Sequence, residues 1–147
     1  MPLSVTKVGH IVLRVSDLDR ALAFYTGVLG LQVVAGGDFG EGQMVFLSTG
    51  RSHHDVALVE TGSVAHGDNL HHFALKVGDS LDDLAEAQRT LAELGVQVHM
   101  ALDHHVSQGL YVTDDDGNLI ELYVDADPRI WHDDPSSVAN SDPLTLP

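Results

Sequence analysis

An internal repeat constrains this chain more than any other feature. The run His10-Ile-Val-Leu-Arg-Val has a counterpart sixty-two residues later in His72-Phe-Ala-Leu-Lys-Val. Each run leads into a serine, an amphipathic stretch and a glycine stop: Ser16 with DLDRALAFYTGVLG, and Ser80 with LDDLAEAQRTLAEL. Leu29-Gly30-Leu31 then matches Leu94-Gly95-Val96. A duplication of this size means that one supersecondary unit is built twice, and that neither copy covers its own apolar faces completely.

Each copy has a legible order. VGHIVLRV from Val8 is β-branched and partly alternating, which predicts a strand. Ser16 is placed as the N-cap of the first helix, with Asp17 and Asp19 complementing its dipole. Leu18, Leu22, Tyr25 and Leu29 form that helix's apolar face, and Gly30 ends it. Three strand-like runs follow: LQVVAG from Leu31, QMVFLST from Gln43 and HDVALVE from His54. After a linker at 61–69 the order restarts with LHHFALKV. A helix follows with a Leu81, Leu84, Ala87, Leu91 and Leu94 stripe, then VQVHMAL, GLYVTD and NLIELYVD. The expectation is an α+β fold of two tandem βαβββ modules, at 5–61 and 69–125, whose curved mixed sheets pair around a central metal cleft. Together they form a single domain over 1–125. The polar segment 126–147 holds four of the five prolines and is expected as an extended arm, with Trp131 anchoring it.

Charge and composition narrow the function. The net charge is −15, with seven Lys and Arg in 147 residues. Such a field repels nucleic acid and anionic membrane surfaces. Without cysteine, the chain has no disulfides, zinc thiolates or cysteine nucleophiles. No apolar run is long enough for a bilayer, and residues 1–7 lack a signal-peptide layout, so a cytoplasmic protein is expected.

Ten histidines exceed the basic residues in number, and histidine is the commonest metal ligand. His10 and His72 occupy equivalent places in the repeat. Glu121 lies within Leu119-Ile120-Glu121-Leu122-Tyr123, and a carboxylate among aliphatic neighbours is costly to bury unless paired or metal-bound. Two imidazoles and one carboxylate with open positions form the facial triad of non-heme Fe(II) sites. Lone strand histidines are more often ordinary core or surface residues; the repeat and Glu121 favour the ligand reading for this pair. His66, His99 and His132 are expected at the surface, His53 and His71 as neighbours of the working histidines. Asp114 to Asp116 are expected as an acidic turn.

The ordered set GHIVLRVSDLDRALAFYTGVLGL, RSHHDVAL, LHHFALKV, DHHVSQGLYVTDDDGNLIELY and PRIWHDDP resembles the vicinal oxygen chelate (glyoxalase/bleomycin resistance/dioxygenase) superfamily, and within it the small one-domain type I extradiol dioxygenases. The resemblance implies metal ligands at His10, His72 and Glu121, an acid–base histidine at His54 and a substrate-contacting tyrosine at Tyr111. It also implies a loop histidine, for which His105 is the candidate and His104 the alternative. It implies Fe(II), with Mn(II) also suited to the ligands and Zn(II) or Ni(II) as replacements. The implied partners are a catechol-type aromatic diol and O2, and the implied reaction is ring opening beside the diol. Association into homo-oligomers stays open. Two rivals share the scaffold. A glyoxalase-like isomerase or lyase usually adds a fourth ligand, a Glu from the last strand of module one; in HDVALVE only Asp55 and Glu60, at the strand ends, are acidic. A binding protein of the bleomycin-resistance type typically lacks the triad.

Overall fold

The computed structural model describes residues 7–38, 40, 42–64 and 70–147, so His66 and part of the 61–69 linker lie outside the described residues. The chain divides into two compact units, Met1–His66 and Gly67–Pro147. Unit one runs β1 (Ile11–Val15), α1 (Leu18–Gly27), β2 (Gln32–Asp38), β3 (Gln43–Ser48) and β4 (Val56–Glu60). Its sheet order is β1-β4-β3-β2. β1 and β4 are parallel, as strands joined through a crossover can be, and the other neighbours are antiparallel.

Unit two repeats this order in β5 (Phe73–Gly78), α2 (Leu81–Glu93), β6 (Met100–Asp103), β7 (Ser107–Thr113) and β8 (Leu119–Asp125). It continues into α3 (Arg129–Asp133), a 3₁₀ turn at Pro135–Ala139 and β9 (Asp142–Pro143). The sheet order is β5-β8-β7-β6-β9, with β5 parallel to β8. The fold is therefore α+β, with two mixed sheets built from βαβββ modules, as the repeat requires.

Strand alternation gives each sheet two faces. In unit two Leu110, Val112, Ile120, Leu122 and Val124 are buried on one face, and Leu84, Ala85 and Leu91 of α2 are buried with them. Each fully buried leucine or isoleucine contributes roughly 1.5–3 kcal/mol. In unit one Leu13, Val15, Leu47, Val56 and Leu58 play that part, with Ala21, Phe24 and Tyr25 of α1. Both helices are followed by a glycine at φ +71°, Gly30 and Gly95, a conformation that L side chains adopt at a cost.

Four local expectations are corrected. The N-cap of α1 is Asp17, whose side chain accepts the Arg20 amide at 3.0 Å; Ser16 lies one residue outside. The buried face of α1 is Ala21, Phe24 and Tyr25, with Leu18, Leu22 and Leu29 only partly covered. The α2 stripe is narrower than its leucines, since Leu81 and Leu94 stand 46% and 50% exposed at the helix ends. The arm carries a short helix and a strand, and its anchor is β9. Pro143 and Asp142 pair with Leu102 and Asp103 of β6, and Leu144 donates to the Ala101 carbonyl at 3.0 Å. Trp131 is 46% exposed and stacks on His132. With Tyr123, Asp125, Pro135 and Val138 it lines a cavity of about 280 Å³. Among the described residues, no helix is long and apolar enough to cross a membrane.

Candidate metal centre

The register of β8 places the chemistry of unit two. Glu121 lies opposite Tyr111 of β7 and Ala74 of β5. Residues directly opposite share a face, so Glu121 and Tyr111 project together, away from the Ile120 and Leu122 face that α2 covers. Both are buried, at 8% and 5% exposure. Gly109 makes the room: a Cβ there would come 2.6 Å from Glu121 Oε1.

Two imidazoles meet the carboxylate. His72, just ahead of β5, brings Nε2 to 3.5 Å from Glu121 Oε2. His104, ahead of β7, brings Nε2 to 3.7 Å from Oε1. The His72 ring is oriented by its other nitrogen, with Nδ1 2.7 Å from Nδ1 of His71. Two facing ring nitrogens share one proton; when His72 supplies it, its Nε2 is a bare lone pair directed at Glu121. That is how a ligating histidine is usually held. Tyr111 donates or accepts at 2.8 Å from His104 Nε2. Burial, and then the negative charge of Glu121, push the Tyr111 pKa up to about 12, so the phenol keeps its proton at neutral pH.

These residues fit a divalent cation. Glu121 is a buried carboxylate whose ion-pair partners, among the described residues, are imidazoles, the side chains that most often ligate metals beside a carboxylate. Two donors about 2.1 Å from one ion stand roughly 3.0–3.4 Å apart, close to the His72–Glu121 separation. Among the described residues, no group of three or more His, Asp and Glu side chains is already gathered to hold a metal ion; unit two by itself offers this pair.

Unit one carries the matching histidines on a different background. His10 precedes β1 as His72 precedes β5, and its ring centroid lies 4.3 Å from that of His54. His54 Nδ1 is 2.6 Å from His53 Nδ1, and Phe46 meets His54 edge-on at 5.4 Å. The His54 pKa is lowered, first by desolvation and then by repulsion from His10 and His53, against the pull of Asp55. His54 is therefore a neutral base at pH 7.

Register also shows what the sequence reading missed. Ala57 pairs with Val12 and Phe46, as Glu121 pairs with Ala74 and Tyr111. Ala57 thus occupies the place of Glu121, and Phe46 that of Tyr111. Superposing Val56-Ala57-Leu58 on Ile120-Glu121-Leu122 would have exposed this. The nearby carboxylates are engaged elsewhere. Asp55 accepts from the Thr49 amide at 2.8 Å and from Ser52 Oγ at 2.8 Å, and Glu60 accepts the Leu18 amide at 2.7 Å, at the start of α1.

The loop histidine needs correction. His105 has φ +65°, and the turn sends its ring away to Asp142, 2.6 Å from Nε2. The adjacent His104 points the other way, to Tyr111 and Glu121. The acidic turn is a turn: Asp114 accepts from the amides of Asp116 and Asn118 at 3.0 and 2.8 Å.

The sequence profile of the Glyoxalase/Bleomycin resistance protein/Dioxygenase superfamily matches residues 7–122. The chain is 34% identical over 134 residues to a catechol-2,3-dioxygenase of Bacillus subtilis, covering 88% of this chain and 45% of that protein. It is 31% identical over 124 residues to biphenyl-2,3-diol 1,2-dioxygenase 2 of Rhodococcus globerulus, covering 81% and 63%. It thus spans about half to two thirds of the length of these relatives. A glyoxylase/bleomycin resistance protein/dioxygenase domain from Frankia sp. EAN1pec shares the fold, with a TM-score of 0.70 at 21% identity, over 84% of this chain and 100% of that one. With both its profile and its βαβββ sheets in agreement, the chain belongs to the glyoxalase/bleomycin resistance protein/dioxygenase superfamily.

Proposed function

We propose that this chain is an extradiol ring-cleaving dioxygenase that acts on a catechol-type diol with Fe(II). The metal is held by His10, His72 and Glu121. The observation that carries this reading is the asymmetry of the repeat: Glu121 stands beside His72, while its counterpart Ala57 offers no donor. Three protein ligands leave positions for a diol and O2, the pattern of Fe(II) oxygenases, whereas an isomerase or lyase on this scaffold usually adds a fourth ligand from the strand that carries Ala57. The dioxygenase relatives agree with this choice. Mn(II) suits the same donors, and Zn(II) or Ni(II) can occupy them without supporting the reaction.

The bound ion supplies electronic coupling between an electron-rich diol and O2. The protein supplies proton control. His54, neutral at pH 7, accepts a proton from the substrate or returns one. Tyr111, protonated throughout, hydrogen-bonds an oxygen of the diol or its product. His104 takes the loop-histidine role and positions Tyr111. One diol and one O2 yield one ring-opened product holding both oxygen atoms.

The test is anaerobic loading with Fe(II), then air and a panel of catechol, 3-substituted catechols and dihydroxybiphenyl. Yellow ring-cleavage product is expected, and His72→Ala abolishes it. Absence of product from every diol, with metal analysis showing a filled site, overturns the reading in favour of an isomerase, a lyase or a binding protein.

A further inference from the structure

His104 is held from both sides. Its Nε2 lies 2.8 Å from the Tyr111 hydroxyl, and its Nδ1 lies 2.8 Å from the backbone carbonyl of Asn140, in the arm. A carbonyl oxygen only accepts, so Nδ1 must carry a proton. A neutral imidazole has one ring proton, so Nε2 is bare and acts as an acceptor toward the Tyr111 hydroxyl, whose proton it shares with the Glu121 carboxylate. The carbonyl is itself pinned. The Asn140 amide and side chain both donate to the Ser137 carbonyl, at 3.1 and 2.8 Å. Asp142 pairs in register with Asp103 and holds the His105 ring at 2.6 Å. Leu144 donates to Ala101.

We propose that residues 140–144 are a positioning strap for the site: the Asn140 carbonyl sets His104 in the Nδ1–H tautomer, and so turns the bare Nε2 of His104 toward Tyr111. The strained turn at His105 serves the same end. Its left-handed backbone sends His105 out to Asp142 and the preceding His104 inward, so the arm registers both, through Asp142 and Asn140. The part played in turnover rests on the dioxygenase reading; the tautomer does not.

The experiment is long-range proton–nitrogen correlation spectroscopy on the full-length, metal-free protein labelled with 15N-histidine, with His104→Gln to identify the signal. The expected pattern is a protonated Nδ1 and a bare Nε2. In Asn140→Ala/Asp142→Ala, with the circular dichroism unchanged, the signal shifts toward the Nε2–H form that free imidazole side chains favour. An Nε2–H tautomer in the unaltered protein overturns the proposal, whatever becomes of the variant. A folded double variant that keeps the Nδ1–H pattern overturns the role of the strap. Because the readout needs neither metal nor turnover, a failed dioxygenase assay leaves it standing.

Discussion

At the scale of single residues, the site depends on small groups that place large ones. Gly109→Ala puts a methyl group against Glu121 Oε1. The expected result is a folded protein whose Fe(II) affinity falls by about 10–100-fold, the range for disturbing the support of a ligand, as read by metal-binding titration under nitrogen. Unchanged affinity would mean that Glu121 holds no metal. The two loop histidines give a second contrast. His104→Ala should lower kcat by about 10²-fold, in line with misplacement of the group it positions, Tyr111, and His105→Gly by far less, because its ring contacts Asp142 instead of Tyr111. Steady-state kinetics on the two variants decide this. The equivalence of His10 and His72 was legible in the sequence because a repeat makes matching histidines visible. The choice between His104 and His105 was not, because it turns on one backbone angle at His105, which no residue pattern encodes.

At the scale of elements, burial separates positions that look alike in sequence. Leu84 and Leu94 both fall on the α2 stripe, yet Leu84 is fully buried and Leu94 is half exposed. Leu84→Ala is expected to cost about 2–5 kcal/mol and Leu94→Ala less than about 0.5 kcal/mol, measured by urea denaturation. Equal costs would contradict the packing described for α2. The helix and strand order was readable because both periodicities are strong and glycines punctuate them. The stripe ends were misjudged because periodicity reports direction and not burial: Leu81 and Leu94 fall on the stripe but stand about half exposed at the helix ends. β9 left no signal at all, since Asp142 and Pro143 form a strand only because β6 offers an edge. The counterpart relation of Ala57 and Glu121 emerged from strand register, although aligning the last strands of the two modules in the sequence already carries it.

At the scale of the whole molecule, acidity and fold meet in the carboxylates. The pKa of Asp55 is held below the ordinary value, its hydrogen bonds from Thr49 and Ser52 outweighing the opposing effect of burial. Asp103 is lowered likewise, through Gln108 and the His105 amide. A group with a depressed folded pKa contributes stability that is complete above its unfolded pKa, about 3.9, and is lost as pH falls through the folded value. Thermal melts should therefore show a falling Tm below about pH 4, and Asp55→Asn should flatten that fall; a Tm independent of pH in this range would contradict the linkage. The function is decided by one number, the oxygen consumed per diol by the Fe(II)-loaded protein in a closed electrode cell. The account predicts one O2 for each diol that disappears. Diol loss without oxygen uptake would contradict it and mean isomerisation or lysis, and stoichiometric diol uptake with neither would mean a binding protein on the same scaffold.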